Sequence, residues 1–161
     1  MADLVTHAAV AVLVKAATGR PHVAVFVAGN LLPDLLSRLP SIMLNMVGAP
    51  RAMVYAWEPM HTPFGMVVAA YFLSLWFPAD QRRMIFLNLL GGMFLHLGLD
   101  MLQTHLQKGY TLLFPFSMRG FELAVIGSEA TVPWAIPLAI LAAIAWRWRT
   151  RQPTASTDGV P

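Results

Sequence analysis

The sequence predicts an all-α fold: an integral membrane helical bundle of about five helices, some short or tilted, joined by interfacial connections. Three observations carry this. Of 161 residues, 57% are hydrophobic and 12% charged, about half the charged fraction of a soluble domain. Mean hydropathy is +0.60. The apolar residues fall in long runs separated by clusters of Pro, Gly and charge, the punctuation expected between helices. The chain is long enough for one compact domain, read as 1–150, with a polar, disordered tail at 151–161 rich in Pro, Thr and Ser.

The first segment runs from about Ala2 to Ala17. Asp3 and His7 stand four apart with Thr6 beside them, and Gly19-Arg20-Pro21 ends it. Without a basic leader, this stretch does not read as a cleaved signal peptide. The second segment runs from about Pro21, placed to start a helix, to Leu36. It contains Gly29-Asn30-Leu31-Leu32-Pro33-Asp34. Pro33 lacks a backbone donor and is expected to bend or end the helix. At about 16 residues each, both segments fall short of a full span. Ser37 to Trp57 is a Met-rich connection broken by Pro40, Gly48 and Pro50, read as interfacial.

The third segment starts at Glu58-Pro59-Met60-His61-Thr62-Pro63 and reaches Phe77. The fourth, from about Arg83 to Thr104, is long enough to cross a bilayer and carries His96 and Asp100 near its far end. Gln107 to Ala130 is a mixed connection. Its aromatics Tyr110, Phe114, Phe116 and Phe121 suit the headgroup level. The fifth segment runs from about Thr131 to Trp146 and ends in Arg147-Trp148-Arg149-Thr150-Arg151.

If five segments alternate, one side collects Lys15, Arg20, Arg82, Arg83, Arg147, Arg149 and Arg151. The other holds Arg38, Arg51, Lys108 and Arg119. The positive-inside rule then puts the first group and the C-terminus in the cytoplasm. The expected location is the cell inner membrane, multi-pass, with membrane lipid as surroundings. The same topology brings His7, Asp34, His61, His96 and Asp100 to one end of the bundle, on the outer, periplasmic side. The chain has no cysteine, which excludes disulfides and thiolate sites and leaves imidazole and carboxylate as ligands. Three His and two Asp suit a divalent metal, zinc first, with manganese or iron as alternatives.

His96 and Asp100 lie one helical turn apart on a face that also carries Asn88 and Gly92. Ionisable groups in an apolar helix need partners, so the pair reads as a site; the plainer reading is helix-packing glue. For His7 the plainer reading is a helix-end His bonded to Asp3. For Asp34 it is a turn-capping carboxylate, and for His61 an interfacial residue at a helix start. Asp3 reads as an orienter of His7, and Asn30 and Asn88 as interhelical hydrogen-bond donors. Asp100 and Glu58 are the carboxylates available for catalysis. Glu58 would act as a general base, its plainer reading being a solvated loop residue. His105 is a weaker polar neighbour, and His22 falls on the wrong side.

Thr6-His7, Gly29-Asn30-Leu31-Leu32-Pro33-Asp34, His61 and His96-Leu97-Gly98-Leu99-Asp100 stand in that order. Gly109-Tyr110 and Leu113-Phe114-Pro115-Phe116-Ser117 follow. This series resembles the membrane-bound, predicted metal-dependent hydrolases of the LexA-regulated, YdjM-like family, over roughly Met1 to Phe121. The resemblance implies His7, Asp34, His61, His96 and Asp100 as metal-site residues. Where the family carries a His-Arg-Gly-x-Thr-His-Ser run, this chain has Trp57-Glu58-Pro59-Met60-His61-Thr62, matching only the second His. The family's further Asp after the Pro-Asp pair is replaced by Leu36 or Ser37.

The function expected is a membrane-embedded metal-dependent hydrolase. A metal-activated water would attack an ester or phosphoester of a small-molecule, lipid or amphipathic substrate. The alternative is a non-enzymatic metal- or proton-handling protein using the same residues, and a third reading is a scaffold. The basic residues sit at segment ends rather than on one helix face, which argues against a nucleic-acid partner. No serine lies in a nucleophile motif.

Overall fold

The computed structural model describes residues 4–19, 21–104, 109–127 and 129–151. Asp3, Arg20, His105, Lys108 and most of the C-terminal tail lie outside them. The chain is all helical, as expected. Helix α1 is Leu4–Thr18 and α2 is Val23–Pro33. A π-helical turn, Asp34–Arg38, leads into α3, Leu39–Met46. Two short pieces follow, α4 (Arg51–Tyr55) and a 3₁₀ turn at Glu58–His61. Then come α5 (Pro63–Ser74), α6 (Ala79–Met101) and α7 (Ala135–Arg151), the last preceded by a 3₁₀ turn at Val132–Trp134.

The second segment does not stop at Leu36. Pro33 neither ends nor breaks it, and helical structure continues from Val23 to Met46. The π turn absorbs the proline. The Leu39 amide reaches back five residues to the Asp34 carbonyl, so the backbone widens locally instead of terminating. The Ser37 hydroxyl donates to the Pro33 carbonyl at 2.7 Å. Two helical stretches, Val23–Met46 and Ala79–Met101, are long and apolar enough to cross a membrane. Helices α1 and α5 are apolar but shorter.

Helix α2 packs along α6, α1 along α7 and α2, and α5 along α6. The α2–α6 crossing is close because Gly29 meets Gly92 there. A Cβ on Gly29 would lie 2.3 Å from the Leu89 carbonyl oxygen, and one on Gly92 2.2 Å from that of Phe26. Small residues let apolar helices approach backbone to backbone. The Asn30 amide donates to the Gly92 carbonyl across this crossing at 3.3 Å. Met66, Ala70, Ile85, Leu89, Met93 and Leu97 form the buried apolar core between α5 and α6. Outward-facing Ile136, Ile140 and Ile144 on α7 are all more than half exposed, which suits a helix facing lipid rather than water.

Two cations are turned inward. Lys15, in the last turn of α1, is buried. Its Nζ donates to the Pro21 carbonyl at 2.9 Å and to Asn88 Oδ1 at 2.6 Å, and lies 4.8 Å from the centre of the Phe26 ring. Arg38 is drawn to Asp34, with Nη1 3.0 Å from Oδ1.

The stretch 109–127 folds back over the end of α6. The Leu123 amide donates to the Met101 carbonyl at 2.8 Å, and the Val125 and Ile126 amides to that of Leu102 at 2.9 Å each. These bonds satisfy carbonyls that a helix end leaves unpaired. Tyr110 and Phe121 pair back to back through two 2.9 Å bonds. Gly109 permits this approach: its φ is +73°, and a Cβ there would lie 2.6 Å from the Phe121 carbonyl oxygen.

Candidate metal centre

Four elements deliver the expected residues to one buried point. His7 comes from α1, Asp34 from the π turn, His61 from the 3₁₀ turn before α5, and His96 and Asp100 from α6. The positions have local causes. His96 and Asp100 share a helix face one turn apart. His61 is held just ahead of α5 by a well-formed helix start. Thr62 caps the helix, its hydroxyl accepting from the Gly65 amide at 3.2 Å and donating to the Pro59 carbonyl at 2.7 Å, and Pro63 follows at the first helical position. The π turn packs on the 3₁₀ turn, which sets Asp34 and Ser37 against His61.

Asp34, His61, His96 and Asp100 are all buried, and each offers one ligand atom within 4.8 Å of the others. His61 Nε2 lies 3.2 Å from His96 Nε2 and 3.2 Å from Asp100 Oδ2. His96 Nε2 lies 3.4 Å from Asp100 Oδ2 and 3.7 Å from Asp34 Oδ1. His7 is adjacent but outside this set of four. Its Nε2 is 3.1 Å from the other Asp100 oxygen, Oδ1, and its ring stacks on His96 with centroids 4.1 Å apart.

The hydrogen bonds fix one tautomer. Ser37 has a single hydroxyl proton, and the Pro33 carbonyl, which can only accept, takes it. The 3.0 Å contact between Ser37 Oγ and His61 Nδ1 then requires Nδ1–H to donate. His61 Nε2 is left with a lone pair directed at Asp100 and His96. Lone pairs and carboxylate oxygens therefore face one another inside an apolar bundle. Such a group of acceptors needs positive charge among them, and a cation coordinated by imidazole and carboxylate fits that need. The four residues can hold a metal ion.

Two residues of the site escaped sequence reasoning. Tyr110 reaches into the cluster: its hydroxyl donates to Asp100 Oδ2 at 2.5 Å, and its ring stacks on His61 with centroids 4.8 Å apart. Burial, together with the neighbouring Asp100 carboxylate, pushes the phenol well above its ordinary pKa, so it stays protonated and donates. Ser37 orients His61 as described. Of the two catalytic carboxylates expected, Asp100 is inside the cluster. Glu58 is exposed, three residues before His61, and makes no hydrogen bond or ion pair with the cluster. Partial burial raises its carboxyl pKa. Asp3 and His105 fall outside the described residues.

The fold and the site together define a class: an apolar helical bundle with a buried His/Asp centre able to take a metal. Within that class the chain belongs to the YdjM inner membrane protein family, whose sequence model matches residues 1–157. No curated protein and no solved structure matches.

Proposed function

We propose that this protein is a membrane-embedded metal-dependent hydrolase acting on an ester or phosphoester of a lipid or amphipathic substrate. The observation that carries it is the buried four-donor set of Asp34, His61, His96 and Asp100. Zinc is the ion taken first. Donors about 2.0–2.1 Å from a tetrahedral ion stand about 3.3 Å from one another; four of the six separations here are 3.2, 3.2, 3.4 and 3.7 Å, and all six lie within 4.8 Å. When bound, such an ion supplies Lewis acidity, polarising the scissile group and activating water.

The chain's own residues do the rest. Ser37 keeps the His61 ring turned with Nε2 inward. His7 and Tyr110 grip the two oxygens of Asp100, one from each side, and fix the carboxylate's orientation. The apolar core separates this centre from the polar residues at the other end of α6: Leu89 and Met93 are buried between them. That favours a closed reaction centre over a conduit for ions or protons. The protein is taken to be multi-pass in the inner membrane with the C-terminus cytoplasmic, on the strength of Arg82, Arg83, Arg147, Arg149 and Arg151. The centre then faces the periplasm.

The test is elemental analysis of detergent-purified protein, wild type beside His96→Ala and Asp34→Ala. One or two equivalents of zinc in the wild type, lost in both variants, are expected, and ester and phosphoester substrates would then be screened. A wild type that takes up no metal after reconstitution would overturn the reading.

A further inference from the structure

Among the described residues, Arg38 is the cationic side chain that meets the centre. Its Nη1 lies 3.0 Å from Asp34 Oδ1, as an ion pair without hydrogen-bond alignment. The Asp34 carboxylate is itself 3.7 Å from His96 Nε2. The side chains around it are nearly sealed, whereas that of Arg38 is 23% exposed. It therefore stands at the mouth of the centre rather than inside. A guanidinium has five N–H donors in a planar fork. Here one is turned toward Asp34, and the described residues take no hydrogen bond from the others.

An arginine that receives an incoming anion must leave donors open toward the entrance, as this one does. The guanidinium fork matches the paired oxygens of a phosphoryl group. Leu35 and Ile42 flank Arg38 along the same helix, three residues before it and four after, and Leu39 follows it. All three are more than two-fifths exposed. An anion held at Arg38 would thus have apolar surface beside it on the membrane-type helix.

From this placement we infer that Arg38 is the anion-recognition residue of the centre, binding the phosphoryl group of an amphipathic phosphoester whose apolar part lies along Leu35, Leu39 and Ile42. This rests on the metal-centre reading above and narrows its substrate to a phosphoester. The Arg38 side chain binds and orients; the four-donor set is left free to hold the ion.

The experiment uses full-length protein in detergent, loaded with zinc and assayed for zinc content before each titration. Wild type, Arg38→Gln and Arg38→Lys are titrated calorimetrically with dioctanoyl phosphatidic acid, dioctanoylglycerol and inorganic phosphate. Phosphatidic acid should bind the wild type about 10- to 100-fold more tightly than Arg38→Gln, the range of a charge-assisted hydrogen bond or a forked pair. Arg38→Lys, a point charge, should fall between. Dioctanoylglycerol should not distinguish the three, and zinc content should be equal in all.

Equal phosphatidic acid binding by zinc-loaded wild type and Arg38→Gln would overturn the inference, as would loss of zinc from Arg38→Gln, which would make Arg38 a support for Asp34. Inorganic phosphate binding as tightly as phosphatidic acid, with the same dependence on Arg38, would uphold the anion site and overturn the amphipathic source. A wild type without zinc would instead strike the metal-centre reading, so the two failures are distinct.

Discussion

Helix α6 carries inward-turned polar residues at two levels, the half-buried Asn88 and the buried His96, eight residues or about 12 Å apart. At the first level, Lys15 donates to Asn88 Oδ1 and the Pro21 carbonyl, and the Asn88 amide donates to the Met84 carbonyl at 2.9 Å. Donors meet acceptors, and the arrangement closes on itself. At the second level, two carboxylates and two imidazole nitrogens face inward, with Tyr110 and His7 as neighbouring donors. Acceptors outnumber donors there. Burial and residue type alone would rank both levels as candidate sites. The balance of protons against lone pairs separates a structural knot from a centre that calls for a ligand.

The strongest way to break this comparison is to remove the ion. If the acceptor-rich level is completed by zinc, chelation should destabilise the protein, by about 4 kcal/mol for zinc at a thousandfold its dissociation constant. Thermal unfolding in detergent with and without a chelator measures this. An unchanged midpoint in a sample shown to contain zinc would mean that the ion does not sit among these residues. Occupancy should also fall as pH drops, because protons compete for the same lone pairs.

The orienting residues sharpen the contrast at smaller amplitude. His7→Ala and Ser37→Ala leave the four donors in place but release Asp100 and His61. Each should weaken zinc affinity by about 10- to 100-fold without abolishing it, measured by competition with a chelating dye. Complete loss in His7→Ala would make it a ligand rather than a support.

The smallest effect on the centre belongs to the other level. Lys15→Met removes the charged donor from the Asn88 and Pro21 acceptors and should cost about 1–3 kcal/mol of stability, read from the same melts, with zinc content unchanged. Loss of zinc in this variant would show that the two levels are coupled and that the distinction drawn between them fails.

The centre was legible where helical periodicity carries information. His96 and Asp100 stand out because a 3.6-residue repeat places them on one face of an apolar helix. Alternation of the segments then predicts that His7, Asp34 and His61 lie at the same end. Tyr110 was not legible, because its position depends on a non-repetitive strap tied to the end of α6 by backbone bonds that leave no periodic trace. The inward turn of Lys15 was not legible, because a lysine in the last turn of a helix normally marks a surface. Pro33 was expected to bend or end the helix; that the chain continues through a π turn instead was not legible, because such a turn has no compositional signature.

That wide turn has a consequence for how the chain tolerates changes in length. A π turn holds one residue more than an α turn of similar rise. A chain one residue shorter between Asp34 and Arg38 would close into an ordinary α-helix and keep its span. The residues from Leu39 to Met46 would keep their face, because the α turn that remains completes the same rotation, and only the side chains within the turn would be displaced. Length variation at this point is mild for the architecture and severe for the chemistry, since the residues of the turn line the wall of the centre. The one wide turn of this helix thus lies beneath its most exacting side chains.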